Sequence, residues 1–173
     1  MDRFVVMGVS GCGKSVIGAR LAAALGATFI DGDDLHPASN VAKMAAGTPL
    51  TDADRAPWLD QVGATLGAAE GVTIIGCSAL KRIYRDRIRA AAGGAVMFLH
   101  LAADKALIAG RMGARTGHFM PPALLDSQFA ALEPPGPDEA ALTIDIGPTA
   151  ELVVADILTR LQPHLAPLKG PQT

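Results

Sequence analysis

Aromatic residues are scarce in this chain: five Phe, one Tyr and one Trp among 173 residues. Its core must therefore come from Leu, Val, Ile and Ala, and a nucleic-acid groove lined with stacking aromatics is not what such a composition builds. Cysteine is almost absent. Cys12 and Cys77 are too few for a disulfide framework, and their separation is not that of a zinc site. No charge of either sign dominates: the formal net charge is −2 and the isoelectric point about 6.0, which argues against nucleic-acid or membrane-surface binding. Half of the residues are apolar, yet no uninterrupted apolar run approaches membrane-spanning length. The chain enters an apolar run at once, leaving no room for a signal peptide, so a cytoplasmic protein is expected. Neither an internal repeat nor a linker is visible, and the length suits one domain, 1–173, with a real core.

The informative stretch comes early: Gly8-Val9-Ser10-Gly11-Cys12-Gly13-Lys14-Ser15. It follows the apolar run Phe4-Val5-Val6-Met7 and precedes an amphipathic segment, giving the strand, glycine loop and helix that a P-loop requires. Glycines let backbone N–H groups turn inward around phosphates, and the helix start adds its positive dipole end. Gly8, Val9, Ser10, Gly11, Cys12, Gly13, Lys14, Ser15 and Val16 are thus the candidate nucleotide-binding residues. Lys14 can reach the β- and γ-phosphates, and the Ser15 hydroxyl can ligate Mg²⁺. Cys12 sits where a helix N-terminus and a lysine favour thiolate, unless its sulfur points into the protein.

Apolar runs at 4–7, 28–30, 72–77, 96–101 and 142–146 read as strands. Helical patterns alternate with them at 16–25, 38–46, 51–69, 81–92, 104–115, 122–132 and 150–165. That alternation predicts an α/β protein whose five-stranded parallel sheet carries helices on both faces. Ligands then bind at the carboxyl ends of the strands, which gathers the P-loop, Asp31–Asp34 and Cys77–Lys81 into one cleft.

Asp31 and Asp33 leave the second strand beside the P-loop. One can help to hold Mg²⁺ and the other can accept a proton from a hydroxyl, unless the pair only shapes a turn. The third strand ends Ile75-Gly76-Cys77-Ser78 without a Walker B aspartate, and no Asn-Lys-x-Asp motif occurs. Both absences argue against motor ATPases and GTPase switches. Arg111 and Arg115, four apart before Gly117-His118-Phe119, suit a lid at about 111–132 that brings charge to the transferring phosphoryl, or else a solvated helix face. Lys81 and Arg85 lie nearest a strand end and are the basic residues expected to meet an anionic substrate.

Several blocks carry a family resemblance. Asp31-Gly32-Asp33-Asp34-Leu35-His36-Pro37, Asn40, Lys43-Met44, Gly47-x-Pro49-Leu50 and Asp52-x-Asp54-Arg55-x-Pro57-Trp58-Leu59 closely resemble the gluconate kinase signature. So do Cys77-Ser78-Ala79-Leu80-Lys81, Tyr84-Arg85-Asp86 and Arg115-x-Gly117-His118-Phe119. The resemblance spans nearly the whole chain. It implies ATP- and Mg²⁺-dependent phosphorylation of the 6-hydroxyl of D-gluconate, a homodimer, and the three-layer P-loop kinase fold of nucleoside monophosphate and shikimate kinases. By similarity to shikimate kinases, Asp33 would meet the reacting hydroxyl and Asp31 the metal side. Arg111 would face the nucleotide, with Pro148 bordering the base. Gluconate needs a cation for its carboxylate, for which Arg55, Lys43, Lys81 and Arg85 are candidates. It also needs donors and acceptors for its hydroxyls, for which Asp33, His36, Asn40, His118 and Gln128 are candidates. A kinase of another small sugar acid and a nucleotide-binding module without turnover are the rival readings.

Overall fold

The computed structural model describes residues 1–114 and 122–165. Five short apolar runs become one parallel sheet: β1 (Arg3–Met7), β2 (Thr28–Asp31), β3 (Thr73–Gly76), β4 (Met97–Ala102) and β5 (Ala141–Asp145). Their order is β2-β3-β1-β4-β5, which puts β1 at the centre with Val5 between Ile75 and Phe98. Among the described residues, seven α-helices accompany them: α1 (Lys14–Leu25), α2 (Ala38–Ala45), α3 (Asp52–Ala68), α4 (Arg82–Ala92), α5 (Lys105–Gly113), α6 (Pro122–Ala131) and α7 (Ala150–Leu161).

Side-chain alternation along β1 explains the layering. Phe4 and Val6 point to one face, where Ile17 and Leu21 of α1 and Ile157 and Leu161 of α7 cover them. Val5 and Met7 point to the other, where Trp58, Leu59, Val62 and Leu66 of α3 and Ile88 of α4 cover them. The four apolar residues of β1, Phe4 to Met7, are fully buried. A strand buried on both faces must be apolar throughout, and Phe4–Met7 is.

Helix starts follow local chemistry. Thr51 caps α3 in a capping box: Asp54 N–H donates to Thr51 Oγ1 at 3.1 Å, and Thr51 N–H donates to Asp54 Oδ2 at 2.9 Å. Asp104 accepts from Leu107 N–H at 2.8 Å to cap α5. The pattern expected to be helical through 165 leaves the α-helix at Leu161 and continues as a 3-10 turn, Gln162–His164. Pro163 explains the change, because it has no N–H to extend the ladder. Since the strands are parallel, the loops leaving β1, β2 and β3 emerge side by side, and these loops build the site.

Candidate active site

The P-loop joins β1 to α1. Gly13 stands immediately before the helix at φ +94°, a backbone region that a residue with a Cβ rarely adopts. Lys14 opens the helix, and its Nζ donates to the carbonyls of Gly8 and Val9, each at 3.0 Å. The ammonium thus lies across the mouth of its own loop. Cys12 is buried, and burial pushes its thiol up against the lowering pull of Lys14. The thiolate that its position suggested is therefore disfavoured: desolvation outweighs the nearby positive charge.

Ser15, one residue into α1, reaches the end of β2, where its hydroxyl donates to Asp31 Oδ2 at 3.2 Å. The other oxygen of Asp31 accepts the backbone N–H of Asp33 at 3.0 Å and so shapes the 3-10 turn Gly32–Leu35. Gly32 lets this turn lie against β3, since a Cβ there would sit 2.4 Å from the Gly76 carbonyl. Trp58 locks the turn from below, its indole N–H donating to Gly32 O at 2.7 Å. Asp33 is raised above the ordinary carboxylate value by burial and then by the charge of Asp31. A carboxylate with its pKa raised is a better proton acceptor.

His36 stacks on Trp58, with ring centroids 4.0 Å apart and planes inclined by 15°. Asn40 was expected to touch substrate. The structure buries it, and its amide nitrogen donates to Asp54 O at 2.8 Å while lying 3.3 Å from His36 Nδ1. With one amide hydrogen on Asp54 O, the second meets Nδ1, which must accept and leaves the imidazole proton on Nε2. Burial lowers the pKa of His36 and favours this neutral form. Asn40 thus orients the histidine and does not itself line the cleft.

The expected cations separate into two groups. Lys43 is held by Asp54 at 2.7 Å, and Lys81 by Asp52 at 3.0 Å, with the Tyr84 hydroxyl also donating to Asp52. Arg85 does not face the cleft. It is completely buried and bonded through Nε and Nη2 to Glu139, each at 2.7 Å. Burial forbids an unpaired guanidinium, so a carboxylate from just beyond Pro134-Pro135-Gly136-Pro137 completes it. Arg55 donates to Leu50 O and has no carboxylate within ion-pair distance among the described residues.

Gln128, expected among the acceptor-side groups, instead meets the P-loop. Its Oε1 accepts Ser10 N–H at 2.6 Å, and its Nε2 donates to Ser10 Oγ at 3.0 Å. Arg111 donates to Gly147 O at 3.2 Å and, with Val16 and Pro148, borders a cavity of about 200 Å³ beside Gly11 and Gly13. Arg111, Val16 and Pro148 were expected on the nucleotide side, and the structure brings all three to this cavity beside the P-loop. Arg115 and His118 lie outside the described residues.

Sequence reasoning missed Trp58 and Glu139 as parts of the site. Trp58 is the chain's single tryptophan and falls in a block already singled out, so a signal was there. Glu139 stands 54 residues from Arg85, and nothing local marks it.

Comparison with known proteins identifies the family. A family model described as an AAA domain matches residues 4–135. The thermosensitive gluconokinase of Escherichia coli (strain K12) is 50% identical over 149 residues, covering 84% of this chain and 79% of that protein. The gluconokinase of Gluconobacter oxydans (strain 621H) is 43% identical, covering 91% of this chain and 90% of that one. The crystal structure of a gluconokinase from Sinorhizobium meliloti 1021 superposes with a TM-score of 0.85 at 43% identity, covering 94% of each chain. With its P-loop, its paired aspartates after β2 and these relatives, the chain belongs to the gluconokinase family of P-loop kinases.

Proposed function

We propose that the protein transfers the γ-phosphoryl of ATP to the 6-hydroxyl of D-gluconate, yielding 6-phosphogluconate and ADP. One observation carries this reading: Asp33, raised by burial, feels the charges of both the P-loop lysine Lys14 and His36, and His36 in turn feels that of Arg55. The gluconokinase relatives support the choice of acceptor.

Phosphoryl transfer asks the protein mainly for position and charge. The glycine loop and the start of α1 hold the phosphates. Lys14 leaves the Gly8 and Val9 carbonyls and turns its ammonium to the transferring group. Asp33 orients the primary hydroxyl and accepts its proton. His36 donates from Nε2 to a sugar hydroxyl. Arg55 meets the carboxylate, because Lys43, Lys81 and Arg85 already carry carboxylates of their own. Arg111, Val16 and Pro148 wall the nucleoside end.

Ser15 Oγ and Asp31 Oδ2 are hard oxygen donors already in contact, a pair that suits Mg²⁺, which takes one or two protein ligands and completes its shell with phosphate and water. When bound, the ion neutralises phosphate charge. The reading also includes a lid over about 111–132, argued from the basic helix and polar loop beside the phosphate site, of which 115–121 lie outside the described residues, together with a homodimer, which the family resemblance supports, in the cytoplasm. Among the described residues, no helix is long and apolar enough to cross a membrane.

The test is ADP release with gluconate, shikimate, glucose and gluconolactone offered separately. Stimulation by gluconate above the others is expected. Clear activity on another acceptor with none on gluconate would refute the assignment.

A further inference from the structure

The loop between β3 and α4 forms the wall between the P-loop and the aspartate turn. Its Ser78 carbonyl accepts Gly8 N–H at 3.2 Å, and Cys77 packs against Gly32. Within this wall Ala79 has φ +44°, and it is the sole non-glycine residue with positive φ among those described. An alanine in the left-handed region is strained, and such strain persists only where the surroundings over-determine it.

Arg85 supplies that determination. Its Nη1 donates to the carbonyls of Ala79 and Leu80, each at 3.2 Å, while Nε and Nη2 form a fork on Glu139. Glu139 is equally engaged: Oε1 also accepts Gly136 N–H and Oε2 also accepts Arg89 Nη2, both at 3.1 Å. These bonds hold the Glu139 carboxyl down at about 2. A buried ion pair adds little stability compared with an apolar replacement, so stability alone does not explain it. What it does is hold two consecutive carbonyls, that of the strained residue itself and that of the residue after it. Only the planar guanidinium, with donors in a fixed fork, can serve a carboxylate and two carbonyls at once.

We propose that Arg85 is a positioning residue: with Glu139 as counter-charge, it clamps the Ala79–Leu80 turn and thereby sets the shape of the acceptor wall and the affinity for the sugar acid. The proposal rests on the acceptor side assigned above.

The experiment is steady-state kinetics on wild type, Arg85→Lys and the double variant Arg85→Lys/Ala79→Gly, varying gluconate and ATP separately, with a melting temperature for each. Lysine keeps the charge and loses the fork. Arg85→Lys is expected to raise the gluconate KM about tenfold and leave the ATP KM within about twofold. Glycine adopts positive φ without strain, so Ala79→Gly in that background should recover about threefold or more of the loss. A wild-type gluconate KM in Arg85→Lys, a parallel rise in both KM values, or no recovery with glycine overturns the proposal. If Arg85→Lys does not fold, Glu139→Gln replaces it, and an unchanged gluconate KM there overturns the proposal equally. A wild type active on a different sugar acid refutes the acceptor assigned above, and the same comparison with that acid then tests Arg85.

Discussion

The Ser15 hydroxyl and the Asp31 carboxylate meet at 3.2 Å, joining the start of α1 to the end of β2. No local pattern connects residues sixteen apart; the contact exists because α1 returns the chain to a strand whose end lies beside the P-loop. Two oxygens so placed would supply two of the six ligands of an octahedral Mg²⁺ shell.

Removing either oxygen should therefore weaken the use of metal more than the use of acceptor. Asp31→Asn is expected to raise the Mg²⁺ concentration for half-maximal activity by about tenfold or more, and Ser15→Ala in the same direction. A Mg²⁺ titration of ADP release checks this. Unchanged midpoints in both variants would remove these residues from the metal site.

Lys14→Ala and Asp33→Asn should both lower kcat, for different reasons. Lys14 steadies charge on the transferring group, and Asp33 takes the proton, a role worth about 10²–10⁴-fold. Asp33→Asn should still bind ATP with Mg²⁺ as wild type does, which calorimetry would measure. Near-wild-type kcat in Asp33→Asn would show that the carboxylate has no part in the transfer.

Arg55, proposed to meet the acceptor's carboxylate, has no carboxylate in contact among the described residues. Arg55→Gln should raise the gluconate KM by about ten- to a hundredfold, the worth of a charge-assisted hydrogen bond, with little change in the ATP KM. An uncharged polyol of similar length should be insensitive to the substitution. Equal losses for acid and polyol would mean that Arg55 does not read the carboxylate.

His100 yields a pH dependence. It is buried on β4, and neither ring nitrogen has a hydrogen-bond partner among the described residues. Burial, then the charge of Arg85, lowers its pKa below the ordinary 6.5. The unfolded chain therefore takes up a proton that the fold excludes, so stability is full above 6.5 and declines as pH falls below it. His36, lowered by burial, adds a component of the same sign. One such proton contributes at most about 1.4 kcal/mol per pH unit. Urea midpoints from pH 8 down to pH 5 should fall less steeply in His100→Gln than in wild type. Equal slopes would assign the loss to other groups.

Much of this protein is written locally. The P-loop is legible because glycine spacing, a preceding apolar strand and a following helix are all short-range requirements, and Thr51 with Asp54 announces α3 for the same reason. Strand identity followed from apolar runs, which are buried on both faces in the inner strands β1, β3 and β4 but only partly in the edge strands β2 and β5. Charge pairing was not legible. Lys43, Lys81 and Arg85 read alike as cations near a cleft, yet Asp54, Asp52 and Glu139 come from other elements to meet them, which leaves Arg55 without a carboxylate among the described residues. Asn40 and Gln128 likewise read as ligands until packing placed one on His36 and the other on Ser10. Sequence determines which chemical groups exist and which strand end or helix carries them. Only the tertiary fold decides which are neutralised, because an ion pair or a hydrogen bond is satisfied by whichever partner folding brings within about 3 Å, however distant it is along the chain.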